Sequence, residues 1–132
     1  MYKKILLAID GSPSSREAAK HAVELAKAAK GKIVAVNVLY SALRFPKSRE
    51  EVIEEQRKDA GNIFREVKEI AGKKIKLHTK ILEGPPWVKI VEEAEEGKYD
   101  IIIMGSKGRG ALGSVAEKVV RDARCPVLVC KV

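Results

Sequence analysis

Cysteine is scarce: Cys125 and Cys130 are the two in 132 residues. Their spacing of five puts them on opposite faces of a strand, which works against a bridge between them. His21 and His78 lie far apart in sequence, so no Cys/His spacing suits a metal centre. Aromatics are 5% of the chain and form no stacking platform of the kind single-strand nucleic-acid binders use. No apolar run approaches the ~18–20 residues that span a membrane. The N-terminal run Ile5 to Ile9 is too short for a signal-peptide core and no small-residue cleavage site follows it, so the expected compartment is the cytoplasm. Asn and Gln are rare against abundant Lys and Glu, a composition that leans toward a thermophilic source.

What the chain does have is charge and alternation. Lys and Arg number 26 against 18 Asp and Glu, a formal charge of +8. The basic residues read as spread along the chain among acids, which favours a solvated surface over a nucleic-acid face. A local excess runs from Gly105 to Val132, where six basic residues meet two acids. An anion site there would account for it. The length suits one domain, residues 1–132, large enough to fold without disulfide or metal staples.

Strand and helix signals alternate throughout. Tyr2–Asp10, Lys32–Tyr40, Tyr99–Gly105 and Pro126–Val132 are nearly continuous apolar runs, as strands covered on both faces require. Lys74–Leu82 instead alternates lysine or histidine with apolar residues, the pattern of a half-exposed edge strand. Between the strands lie four helical segments. The first starts at a Ser14/Glu17 capping box and stops near Lys30–Gly31. The second spans 48–71, the third Trp87–Glu96, and the fourth runs 114–122 from a Ser114/Glu117 capping box. Such β-α alternation implies parallel strands, right-handed crossovers and helices on both faces.

In an open parallel sheet a ligand sits beyond the carboxyl ends of the central strands. The first strand ends in Asp10–Gly11–Ser12. The fourth ends in a loop with glycines at 105, 108, 110 and 113 that feeds a helix at Ser114. Glycine backbone and a helix N-terminus make an anion cradle, and Lys107 and Arg109 add charge. Asp10–Gly11–Ser12 is also ordinary turn chemistry, so a turn residue and a ligand contact compete for Asp10. Ser114 can cap the helix and meet a phosphate at once. Gly108-x-Gly110-x-x-Gly113 matches a dinucleotide fingerprint in letters only: it follows the fourth strand and lacks the ribose-binding acid. The P-loop pattern is absent. A phospho-acceptor receiver is excluded because Asp10 stands without a second acid at the first strand's end.

The segments KKILLAIDGSPSSREAAKHAVELAK, GPP, YDIIIMGSKGRG and LGSVAEKVVRDARCPVLV together resemble the universal stress protein family along the whole chain. The resemblance implies a three-layer α/β/α, Rossmann-like fold of the adenine nucleotide alpha hydrolase-like type, its five parallel strands in the order 3-2-1-4-5. It implies a cytoplasmic stress-response module that binds ATP, with Mg²⁺, through Asp10, Val38, Met104, Gly105, Gly108, Gly113, Ser114 and Val115, with Lys107 and Arg109 as further phosphate contacts. It also implies a homodimer through Val127 to Val132, acting on an unidentified protein partner. Gly105-x-x-Gly108 is followed by only four residues before Gly113–Ser114, a shorter loop than ATP-binding members carry. That shortening suits AMP or a lone anion as well as ATP, and it supports the alternative of a nucleotide-independent dimeric interaction protein. No general base or arginine finger can be assigned, so at most slow ATP hydrolysis is expected.

Overall fold

The computed structural model describes residues 1–40, 48–107 and 112–132. Five strands and four helices follow in strict alternation: β1 Lys4–Ala8, α1 Pro13–Ala29, β2 Lys32–Leu39, α2 Arg49–Ala71, β3 Lys76–Glu83, α3 Pro86–Glu96, β4 Ile101–Gly105, α4 Ser114–Asp122 and β5 Val127–Cys130. All pairings are parallel and the sheet order is β3-β2-β1-β4-β5. β1 pairs with both β2 and β4, so the two apolar runs expected at the centre are there.

Two cores sandwich the sheet. Ile5, Leu7, Ile33 and Ile103 point to one side and meet the Ala-rich face of α1 and Phe64 and Val67 of α2. Leu6, Val34, Val36 and Ile102 point to the other and meet Ile90 of α3 and Val119 of α4. The alternation follows from the period-two pleat, and each face needs its own helix pair. β3 is the exposed edge that its alternating lysines predict. Cys130 packs into the first core and Cys125 against the second, and both are free.

Several boundaries differ from the sequence pattern, each for a local reason. The cap of α1 is Ser12, whose side chain accepts from the Ser15 amide, not Ser14. Pro13 holds the first helical position, where its missing N–H costs nothing, and this shifts the cap back to Ser12. α1 ends within the expected Lys30–Gly31 pair, on Lys30 in the left-handed conformation. The cap of α4 is Gly113, leaving Ser114 inside the first turn with no capping role. β1, β4 and β5 are shorter than their apolar runs, whose remainders lie in the connecting turns.

Candidate functional site: a cavity at the carboxyl ends of β1 and β4

Three serines at the start of α1 organise one wall. The Ser12 amide donates to Asp10 Oδ1 at 2.9 Å, closing the turn after β1. The Ser15 hydroxyl donates to the Ser12 carbonyl at 3.0 Å. Ser14 is buried, and its Oγ accepts from the Lys107 amide at 2.8 Å. That bond ties the loop after β4 to the N-terminus of α1, and it holds Lys107 at a left-handed φ of 53°. Such a conformation costs an L-residue roughly 1–2 kcal/mol unless its surroundings fix it.

The opposite wall is built from glycine backbone. A Cβ at Gly105 would lie 2.4 Å from Ser14 Oγ and 2.5 Å from the Ser15 amide nitrogen, so β4 approaches α1 as closely as only glycine allows. A Cβ at Gly113 would lie 2.6 Å from the Ser106 carbonyl. The Gly113 amide donates to that same carbonyl at 3.0 Å, pinning the far end of the loop to its start. Gly113 is therefore required by the loop's own closure, whatever ligand the amides meet.

Between these walls lies a cavity of about 400 Å³. Its floor is Ala8, Val36, Val38, Ile90 and Met104, and its rim is Asp10, Lys107, Gly113, Ser114 and Val115. The structure thus brings Asp10, Val38, Met104, Gly105, Lys107, Gly113, Ser114 and Val115 around one space. Gly108 and Arg109 lie outside the described residues. Trp87, at the start of α3, does not line the cavity. It packs against the second core, with Lys118 and Arg121 each 5.9 Å from its ring centre.

Charge at the rim is paired. Lys107 Nζ lies 3.7 Å from Asp10 Oδ2. Burial acts to raise the Asp10 pKa, but hydrogen bonds from Ser12 and Ser15 and the Lys107 charge outweigh it and hold the carboxyl below its ordinary value. Asp10 is an anion at neutral pH and serves as an acceptor, not as a proton donor. The N-terminus of α4 faces the same space, bringing free backbone amides and the positive end of the helix dipole. An apolar floor, one acceptor and a helix N-terminus suit a ligand with a flat apolar part and an anionic end.

Two supports of this site escape the sequence pattern. Buried Asn37 donates from Nδ2 to the Ile9 carbonyl at 2.7 Å and so braces the carboxyl end of β1. The signal was a lone amide inside the apolar run KIVAVNVLY. Ser14 looked like a cap and is instead the tether of the loop.

The universal stress protein family model matches residues 1–131. The chain belongs to the universal stress protein family. A universal stress protein of Methanocaldococcus jannaschii is 40% identical over 99% of this chain and 83% of its own length. The universal stress protein UspA from Lactobacillus plantarum has a TM-score of 0.87 and 28% identity, covering 98% of this chain and 97% of that one. A universal stress protein from Archaeoglobus fulgidus in complex with dAMP has the same fold, with a TM-score of 0.77 at 22% identity over 98% of each chain. The α/β sandwich with strand order 3-2-1-4-5 is thus the fold of the family.

Proposed function

We propose that this universal stress protein binds an adenine nucleotide in the cavity at the carboxyl ends of β1 and β4. The observation that carries the proposal is the pairing of an apolar floor with the α4 N-terminus in one 400 Å³ space. The base rests on Val38 and Met104 with Asp10 as its acceptor, and the phosphates meet Gly113, Ser114 and Val115. Lys107 leaves Asp10 to meet the phosphates. The dAMP complex of the Archaeoglobus relative supports a nucleotide of this class. ATP with Mg²⁺ and AMP are the two candidates, separated by how many phosphates the loop reaches. Among the described lining residues Asp10 is the one carboxylate, and it is held by Ser12, Ser15 and Lys107, so the site is proposed to bind rather than to turn over.

The module is proposed to act in the cytoplasm as a homodimer whose nucleotide occupancy tunes contact with a protein partner. β5 closes one side of the sheet as an edge strand, with Leu128 partly exposed, and an apolar edge of this kind invites pairing with a second copy. Among the described residues no helix is long and apolar enough to cross a membrane.

The test is calorimetric titration of the protein with ATP and Mg²⁺ and with AMP, alongside Ser114→Asp. An acid in the first turn of α4 favours the helix through its dipole, so this variant stays folded while placing a negative charge where phosphates are expected. Wild-type binding with a loss of about tenfold or more in Ser114→Asp and an unchanged or higher melting temperature is the expected result. Equal affinity in the variant would remove the phosphates from α4. No heat with either nucleotide, from folded protein, would favour the nucleotide-independent interaction protein. Lys107→Ala should weaken ATP about threefold and AMP less, because an exposed lysine adds only modest Coulomb energy.

A further inference from the structure

At the other end of the sheet, three stretches far apart in sequence converge. Residues 1–4, 26–32 and 72–76 precede β1, β2 and β3, and together they hold eight lysines and no Asp or Glu. Because β1, β2 and β3 are neighbours and parallel, their amino ends lie side by side. The result is a concavity of about 580 Å³ lined by Lys3, Lys27, Lys30, Lys32, Lys74 and Lys76. Basic residues are spread along the chain among acids, and it is the strand order that gathers these together.

The cluster is more than a helix end needs. Carbonyls at the C-terminus of α1 are partly met by Lys3, whose ammonium donates to the Ala29 carbonyl. Lys27 has Glu24 at 3.8 Å. Among the described residues, Lys30, Lys32, Lys74 and Lys76 have no carboxylate within 4.0 Å. A helix C-terminus carries only about half a negative charge, which leaves most of the six ammonium groups uncompensated. The sheet register adds to the cost. Lys32 sits opposite Lys76, so like-charged residues face each other across two adjacent strands, while Lys4, on the other side of Lys32, turns its ammonium to the Gly97 carbonyl and the Tyr99 ring. Directly opposed like charges destabilise a sheet, and a fold that keeps them there is poised to gain from an anion.

We propose that this lysine concavity binds a linear polyphosphate chain. The ligand must be polyanionic to meet six ammonium groups, about one charge per phosphate. The lining has no aromatic to stack a base and no arginine fork, so recognition rests on point charges, which suits a chain of phosphates without bases. A recessed site without exposed aromatics does not suit a lipid surface. The site is separate from the nucleotide cavity and does not depend on it.

The experiment is calorimetric titration of the whole chain with linear hexaphosphate, comparing wild type with a Lys32→Gln, Lys74→Gln, Lys76→Gln triple variant. A second triple variant, Lys20→Gln, Lys58→Gln and Lys131→Gln, makes the same change in net charge on exposed positions elsewhere. The expected result is binding that weakens about tenfold or more in the first triple and less than about twofold in the second, with a salt dependence that flattens only in the first. Equal weakening in both triples would reduce the effect to net charge and overturn the proposal. Displacement of hexaphosphate by ATP would place it in the nucleotide cavity and overturn it too. Tighter binding of a uridine-only RNA of equal charge, or of anionic vesicles, would assign the patch to those partners instead. Circular dichroism of both triples shows whether the fold is kept. If the first triple does not fold, Lys74→Gln alone, on the turn before β3, provides the same comparison at smaller amplitude.

Discussion

The two ends of one sheet are built on opposite electrostatic plans. At the carboxyl end the helices begin, so backbone amides and the positive ends of dipoles already favour an anion. Little side-chain charge is needed, and among the described residues at the rim Lys107 is paired with Asp10, at 3.7 Å. At the amino end the helices finish, and their carbonyls repel an anion. There the charge comes from lysine side chains, most of them without a carboxylate partner. A site made of backbone is fixed by packing and is costly to alter. A site made of long side chains is cheap to alter and costs stability while it is empty.

That contrast predicts the sign and size of substitutions. The largest effect should come from Gly105→Val, because its Cβ would overlap Ser14 Oγ and the α1 backbone at 2.4–2.5 Å. The Ser14 hydroxyl could turn aside, but the backbone at Ser14 and Ser15 cannot, so β4 and α1 must separate. We expect a loss of about 2–3 kcal/mol in urea denaturation. A loss below about 0.5 kcal/mol would show that the carboxyl end is not fixed by backbone contact, and the contrast would fail.

Ser14→Ala comes next. It leaves the Lys107 amide without its acceptor and removes what holds Lys107 at positive φ. A cost of about 1–2 kcal/mol is expected, together with weaker nucleotide binding because the loop's start is no longer fixed. Normal stability combined with weakened binding would sharpen the assignment of Ser14 to positioning. Normal values of both would remove it.

How far this could be read from the chain depends on whether the pattern was local. β1 and β4 were legible as central because both faces of each run are apolar, and β3 as an edge because lysines alternate along it. Most of the candidate site was legible because strand ends, glycines and a helix start are local signals. The cap of α1 was misplaced by two residues because Ser12, Ser14 and Ser15 compete and only Pro13 decides among them. Asn37 and Ser14 act on residues 28 and 93 positions away, and nothing local marks that. The lysine concavity was invisible for the same reason: its three stretches meet only through the strand order.

At the amino end the sign should reverse. Lys32 sits opposite Lys76, so Lys32→Gln removes that like-charge opposition while keeping part of the aliphatic stem. Stability should rise by a few tenths of a kcal/mol at low salt, and the gain should shrink as salt screens the repulsion. The same substitution should weaken hexaphosphate. A loss of stability would mean that Lys32 is compensated in the folded protein and that the amino end carries no cost when empty.

The smallest effect tests the pairing at the rim through pH. The Asp10 pKa is lowered in the folded protein: burial raises it, and the Ser12 and Ser15 hydrogen bonds with the Lys107 charge more than reverse that. A lowered folded value means that the unfolded chain takes up the proton first as pH falls. The contribution of Asp10 is therefore complete above the ordinary aspartate pKa of about 3.9 and is lost as pH drops through the lower folded value. The side chain is 43% exposed, so solvent screening keeps the contribution below about 1 kcal/mol. Asp10→Asn keeps an acceptor for the Ser12 amide and removes only the charge. Thermal melts of the two proteins should differ slightly at pH 7 and converge toward pH 3. A difference that persists unchanged into acid would assign it to the altered hydrogen bond rather than to the charge. The carboxyl end would then owe its stability to backbone contacts, with Lys107 free to meet a phosphate at no cost to the fold.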